Sequence, residues 1–197
     1  MPTMAQAEAT LKSVYGYEQF RQGQRESVQA LVDGKDVLAI MPTGAGKSLC
    51  YQIPAIISSG ITLVISPLIS LMKDQVNALL QLDVKAAYIN STLTNKQQVI
   101  ALENARKGAY KIIYIAPERL NTEGFLDFAQ NAEISNVIID EAHCVSQWGQ
   151  DFRPAYLNIA PFIEKLKKRP VVGAFTATAT LAVQKDITKL LELHDPV

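Results

Sequence analysis

Short, uniformly apolar runs alternate along the chain with longer stretches in which apolar residues recur every three or four positions. The short runs predict strands at 36–41, 61–66, 85–90, 111–116, 136–140 and 171–176. Helical periodicity falls near 47–58, 67–82, 94–107, 123–131, 155–168 and 180–193. Strands this apolar on both faces call for a parallel sheet covered by helices on each side. Thr94 and Thr180 stand where N-caps belong, and Gly60 and Gly108 where helices should stop. Residues 1–34 read as two short helices ahead of the sheet, and no internal repeat, low-complexity tract or linker follows. The expectation is one three-layer α/β domain over 1–197 with a mostly parallel central sheet. Ligands of such sheets collect at the carboxyl ends of the strands. Ser66-Pro67, Ala116-Pro117-Glu118, Asp140-Glu141 and Thr176-Ala177-Thr178 all sit where a predicted strand runs out.

Composition narrows the picture. The 197 residues are 48% hydrophobic and 19% charged, enough apolar material for a sizeable core. Nineteen basic side chains balance nineteen acidic ones, so any nucleic-acid contact must come from a local patch and not a global field. No apolar run reaches membrane-spanning length, and the first residues lack a signal-peptide core, which predicts no membrane partner. Cys50 and Cys144 are isolated thiols without metal-ligand spacing, so a reduced cytoplasmic location is expected.

The most informative segment is Met41-Pro42-Thr43-Gly44-Ala45-Gly46-Lys47-Ser48, between an apolar run and an amphipathic helix. Backbone N–H groups of such a turn, with the helix N-terminus, form a cradle for phosphate. Thr43, Gly44 and Gly46 shape that cradle, the glycines by removing Cβ atoms. Lys47 reaches the β- and γ-phosphates, and the Ser48 hydroxyl can ligate Mg²⁺. Met41 replaces the first glycine of the strict pattern. Downstream, an apolar strand ends in Asp140 and Glu141. The first carboxylate is placed to hold Mg²⁺ and the second to polarise a water in line with the γ-phosphate; the alternative is a solvated strand end.

Other segments are less decisive on residue types alone. Tyr17, Arg21 and Gln24 offer two flat surfaces and an amide that matches the adenine edge, although Gln24 could equally begin an exposed helix. The loop 144–154 holds Trp148, Phe152 and Arg153, which suit stacking on unpaired bases and contact with phosphate. The same aromatics could instead plug a satellite core. Lys165-Leu166-Lys167-Lys168-Arg169 reads as a solvated helix C-terminus. His143 beside Cys144 lacks a third partner, so a thiol nucleophile is discounted, and His194 carries no evident chemistry.

Together these blocks resemble the RecQ family of superfamily-two DNA helicases, in its first RecA-like motor domain. The match rests on FRQGQ at 20–24, MPTGAGKSLCYQIPA at 41–55, SPLISLMKDQV at 66–76, YIAPERL at 114–120, DEAHCVSQWGQDFRPAY at 140–156 and FTATAT at 175–180. The second of the two RecA-like domains, which supplies an arginine finger in that family, has no counterpart after Thr180. The resemblance implies ATP and Mg²⁺ as cofactors, held by Lys47, Ser48, Asp140 and Glu141, with Tyr17, Arg21 and Gln24 selecting adenine. It implies that His143, Thr176 and Thr178 link hydrolysis to movement, and that Trp148, Phe152 and Arg153 sense single-stranded DNA. The segments 66–75 and 115–120 would line the DNA path. Met41 is usual in the family; Gln150 departs from a common histidine. Single-stranded and duplex DNA are the implied partners, with three-prime to five-prime unwinding in repair and recombination as the implied activity, near the nucleoid of a bacterial-type cell. The competing class is a non-catalytic DNA-binding module that retains the fold. Without the second domain the chain is expected to bind ATP weakly and turn it over little.

Overall fold

The structure, a computed structural model, describes residues 2–197, so the N-terminal stretch 1–34 is seen from residue 2. Strands β1 (Val37–Ile40), β2 (Ile61–Ile65), β3 (Ala86–Ile89), β4 (Ile112–Ile115), β5 (Ile134–Ile139) and β6 (Val171–Thr176) form one sheet. Their order is β1-β6-β5-β2-β4-β3, and every neighbouring pair is parallel. Parallel strands need crossovers, and helices supply them. Helices α1 (Met4–Tyr15) and α2 (Gln24–Val32) precede the sheet; α3 (Lys47–Ile57), α4 (Ile69–Gln81), α5 (Asn95–Arg106), α6 (Glu123–Asn131) and α7 (Ile159–Glu164) lie in the five crossovers, and α8 (Leu181–Leu190) follows β6.

The two-sided apolar pattern of the strands has a direct consequence: the sheet separates two cores. Leu63, Ile65, Val137, Ile139, Val172 and Ala174 face one side and pack under α5, α6, α7 and α8. Val64, Ile112, Tyr114, Ile138 and Phe175 face the other and pack under α1, α2, α3 and α4. Leu63, Val64 and Ile65 are buried in succession, which only a strand covered on both faces permits. Each such side chain contributes about 2 kcal/mol relative to exposure.

Local signals set the helix ends. Thr94 forms a capping box with Gln97, and Thr180 accepts from the Val183 N–H, as expected. Gly108 follows α5 at φ +74°, a left-handed position that suits glycine. Gly60 has a different reason. Helix α3 already ends at Ser58, and a Cβ at Gly60 would collide with the Glu133 backbone oxygen beside β5. The helix predicted at 155–168 is also shorter: Pro154–Asn158 forms a 3-10 turn, and α7 stops at Glu164. The chain must then turn so that Arg169 reaches Asp36, which it grips with both guanidinium Nη atoms at 3.1 and 2.6 Å. That residue is therefore a structural anchor and not a solvated helix end. His194 shares the junction through its backbone N–H, 2.8 Å from Asp36 Oδ2.

Candidate active site

The carboxyl ends of β1, β5 and β6 bring the predicted chemistry together. After β1 the chain makes a tight turn closed by the Ala45 N–H on the Pro42 carbonyl at 3.0 Å. Gly44 and Gly46 hold φ values of +84° and +79°, which a side chain would strain. Gly46 is the N-cap of α3 and offers no side-chain cap, so the first N–H groups of that helix are left for a ligand. Thr43 is exposed on the turn, while Lys47 and Ser48 are half-buried in the first turn of α3. Met41 explains itself: its side chain is buried, with Sδ 3.8 Å from Cys50 Sγ, while its N–H holds the Thr176 carbonyl of β6. The first position of this turn therefore belongs to the core and not to the cradle.

Asp140 and Glu141 end β5 as predicted. Lys47 Nζ lies 3.3 Å from Glu141 Oε1, so the turn after β1 and the acids after β5 share one cleft. Glu141 adopts φ +50°, an uncommon backbone for a carboxylate residue that aims its side chain into that cleft. Asp140 is buried, and its Oδ1 accepts the Glu141 N–H at 3.1 Å. Burial first, and the Glu141 charge second, push the Asp140 carboxyl up to about 6, with Lys47 opposing. A cation placed beside it would reverse that shift.

His143 joins this cluster. Its Nδ1 is 2.7 Å from Thr176 Oγ1 and 3.4 Å from Glu141 Oε2. Thr176 donates its own proton to the Thr178 carbonyl at 3.2 Å, and a carboxylate can only accept. The proton shared in this arrangement therefore sits on His143 Nδ1, which leaves Nε2 to accept from the Cys144 thiol at 3.8 Å. Burial pushes that thiol up to about 12.

On the far side of the turn, Tyr17, Arg21 and Gln24 line a cleft of about 300 Å³ with Gly44, Gly46 and Ser48. Gln24 is buried and already engaged. Its Oε1 accepts the Arg21 N–H and its Nε2 donates to the Ala45 carbonyl, both at 2.9 Å. Gln24 thus braces the turn 41–48 from below, with one donor and one lone pair left free. Tyr17 and Arg21 are exposed, and Arg21 Nη1 lies 3.5 Å from the Gly44 carbonyl.

The loop after the acids divides its aromatics. Trp148 is 81% exposed and plugs nothing, which removes the satellite-core reading for that residue; Phe152 is half-buried. With His143, Gln150 and Thr178, Trp148 lines a second cleft of about 310 Å³. Ser146 fixes the loop, accepting the Trp148 N–H at 3.1 Å and donating to Asp186 Oδ2 at 2.7 Å. Arg153 does not project freely: it pairs with Asp151 at 3.0 Å and donates to the Pro67 carbonyl at 3.1 Å.

A family profile described as DEAD/DEAH box helicase matches residues 21–187. The chain belongs to that family. Among this DEAD/DEAH box domain's relatives is the ATP-dependent DNA helicase RecQ of Bacillus subtilis (strain 168), 50% identical over 189 residues, 95% of this chain and 32% of that protein. RecQ of Pasteurella multocida (strain Pm70) is 46% identical over 196 residues, 100% of this chain and 31% of that protein. The domain thus spans about a third of the RecQ proteins it matches. Among solved structures, the DUF1998 helicase MrfA bound to DNA and AMPPNP superposes with a TM-score of 0.76 at 20% identity, covering 98% of this chain and 29% of that one. The Pyrococcus furiosus Hef helicase domain gives 0.69 at 20% identity, covering 90% and 37%. The fold is that of a RecA-like helicase domain, and the RecQ resemblance is borne out in sequence.

Several residues of the DEAD/DEAH box site carried no signal of their own. Tyr156 donates to the Asp140 carbonyl at 2.9 Å and fixes the end of β5 from 16 residues away. Asp186 lies on α8, 40 residues from the Ser146 it anchors. The spacing of these pairs has no local pattern for sequence reading to find. Among the described residues no three His, Cys, Asp or Glu side chains group into a metal cage, and no helix is long and apolar enough to cross a membrane.

Proposed function

We propose that the domain binds ATP in the cleft between the turn 41–48 and the Asp140-Glu141 pair, as one half of a RecQ-like DNA motor. The observation that carries this reading is the 3.3 Å approach of Lys47 to Glu141 across the cleft. An ammonium facing a carboxylate in a half-buried cleft lies where a γ-phosphate would insert between them. Lys47 would move onto the phosphate oxygens, freeing Glu141 to orient and deprotonate the attacking water. The donor set of one hydroxyl, Ser48, and one buried carboxylate, Asp140, fits Mg²⁺, which keeps most of its shell for phosphate and water. When bound, that ion would neutralise charge on the phosphates and hold Asp140 ionised. Tyr17 and Arg21 would stack the base, with Gln24 holding both the turn and the adenine edge.

His143, bridging Glu141 to Thr176, joins the hydrolytic end of the cleft to the Thr176–Thr178 turn after β6, and so to movement. Trp148 and Phe152 would stack on single-stranded DNA, while Arg153 positions their loop. Translocation from three-prime to five-prime, duplex separation and a role in repair and recombination near the nucleoid belong to the same proposal. So does a second RecA-like domain that completes the phosphate site; the domain alone would hydrolyse ATP poorly because transition-state charge lacks that partner.

Titration with a fluorescent ATP analogue tests the site. Saturable, Mg²⁺-dependent binding is expected, with Lys47→Ala weakening it at least about tenfold, roughly 1.4 kcal/mol. Unchanged affinity in the variant would remove the nucleotide from this cleft.

A further inference from the structure

Beneath the base side of the nucleotide cleft lies a buried amide that the mechanism above does not use. Gln52, on α3, is 5% exposed and sits among apolar neighbours. Its Oε1 accepts from Tyr15 Oη at 2.9 Å, and its Nε2 donates to Gln75 Oε1 at 2.9 Å and to Tyr114 Oη at 3.1 Å. One side chain thus ties the end of α1, the middle of α4 and strand β4 to the helix that opens at the phosphate turn. Tyr15 and Gln52 both line the cleft that holds Tyr17, Arg21 and Gln24. A buried amide with both donors and an acceptor engaged costs much to leave unpaired, so it acts as a geometric constraint.

The other end of that constraint is lightly held. Helix α4 begins without a side-chain cap, and Leu68 and Ile69 at its start are exposed. Ser66, just before it, carries the one buried side-chain oxygen among the described residues that has no hydrogen-bond partner. Ser66 keeps its backbone N–H on the Ile115 carbonyl of β4 at 3.1 Å. The side-chain contacts from α4 and its lead-in to other elements are the Gln75–Gln52 bond, the Asn90 amide on Met72 Sδ, and the Arg153 contact at Pro67. The first leads back to the nucleotide cleft. The last leads out to the loop that carries Trp148. A segment whose first turn is loosely fixed and whose middle is tied to a ligand cleft is suited to take two positions.

We infer that Gln52 is a positioning residue that passes nucleotide occupancy from α3 to α4 through Gln75, and from the start of α4 to the aromatic loop through Arg153. Closure of the cleft on a base shifts Tyr15 and α3. The Gln52 amide carries Gln75 with it, and the shift re-seats the segment 66–76. This rests on the nucleotide reading of the cleft.

Hydrogen–deuterium exchange of the 197-residue chain with and without AMPPNP and Mg²⁺ tests it. In the unaltered chain the nucleotide should slow exchange at 41–50 and, by about fivefold or more, within 69–81. Gln75→Met, which lies outside the cleft lining, should keep the first protection and lose the second, and Gln52→Met should lose the second, with circular dichroism reporting an intact fold. Gln75 is only half-buried, so its variant reads the coupling even where Gln52→Met folds poorly. Protection of 69–81 that survives in Gln75→Met would overturn the relay. So would a wild-type chain in which only 41–50 responds. Absence of protection at 41–50 in the wild type would instead remove the nucleotide reading, and the relay with it.

Discussion

At Gly46 two requirements meet on one atom. Its φ of +79° already disfavours any side chain, and a Cβ there would press on Gln24 Nε2, the group that holds the Ala45 carbonyl. Gly46→Ala should therefore cost about 1 kcal/mol from the left-handed backbone, plus the Gln24 brace. Thermal unfolding should register the loss, and nucleotide titration should register a larger one, because the displaced N–H groups are those proposed to face phosphate. Adding Gln24→Ala to Gly46→Ala relieves the collision but not the backbone strain. The double variant should regain part of the stability and none of the affinity; a double variant that binds nucleotide like the wild type would contradict this account of the turn. Met41 makes the complementary point, since the position nearest the strand tolerates a bulky side chain where the core can receive it.

Between elements, the tether that matters for the aromatic loop is Ser146, whose buried hydroxyl joins the Trp148 backbone to Asp186 on α8. Ser146→Ala removes both bonds and leaves the Trp148 N–H without its partner, a loss of about 1–2 kcal/mol. The chain has one tryptophan, so its fluorescence reads this loop alone. The wild-type emission should be that of a water-exposed indole, and both Ser146→Ala and Asp186→Ala should lower its steady-state anisotropy. Unaltered anisotropy in both would mean that the loop is held elsewhere. This tether also marks how far the sequence could be read. The strands and most helices were legible because burial on two faces and helical periodicity leave local patterns, and the turn 41–48 and the acid pair because the chemistry proposed for them needs adjacent residues. Helix α7 was overextended because the run after Glu164 is helix-compatible in composition, whereas Arg169 is drawn to a partner 133 residues away. Tyr156 and Gln52 escaped for the same reason, as did the bond from Gln24 to the Ala45 carbonyl: each acts through a contact between distant segments, and a single sequence records neither partner nor distance.

Across the whole molecule the two ends of the sheet are built differently. The carboxyl ends hold the strained Glu141 backbone, the unpartnered Ser66 hydroxyl and the open clefts. The amino ends are fastened by polar clamps. Asn136 donates to Thr62 and Ser58, Lys111 to the Ser58 carbonyl, and Asp36 gathers Arg169 with the N–H groups of Val172 and His194. The backbone around Asp36 extends the clamp, since Val197 bonds to the Asp36 carbonyl and the Leu38 N–H, each at 3.0 Å. The clefts thus open at one end of the sheet and the polar clamps close the other, and Asp36 is the residue on which this division is most readily tested. Burial alone would raise its carboxyl, but the Arg169 hydrogen bonds and the two backbone N–H groups outweigh it and hold the carboxyl below its usual value. A carboxyl lowered in the folded state contributes stability above its unfolded value of about 4 and loses it as pH falls through the folded value. Asp36→Asn should therefore destabilise the domain by about 2 kcal/mol at pH 7, toward the low end for a buried pair because Arg169 is one-third exposed. In urea unfolding at a series of pH values, the gap between wild type and variant should narrow progressively below about pH 4. A gap of constant size would show that Asp36 acts through the shape of its hydrogen bonds and not through its charge. The nucleotide affinity of Asp36→Asn, measured well below its unfolding transition, should match the wild type, because the clamp and the cleft lie at opposite ends of the same strands.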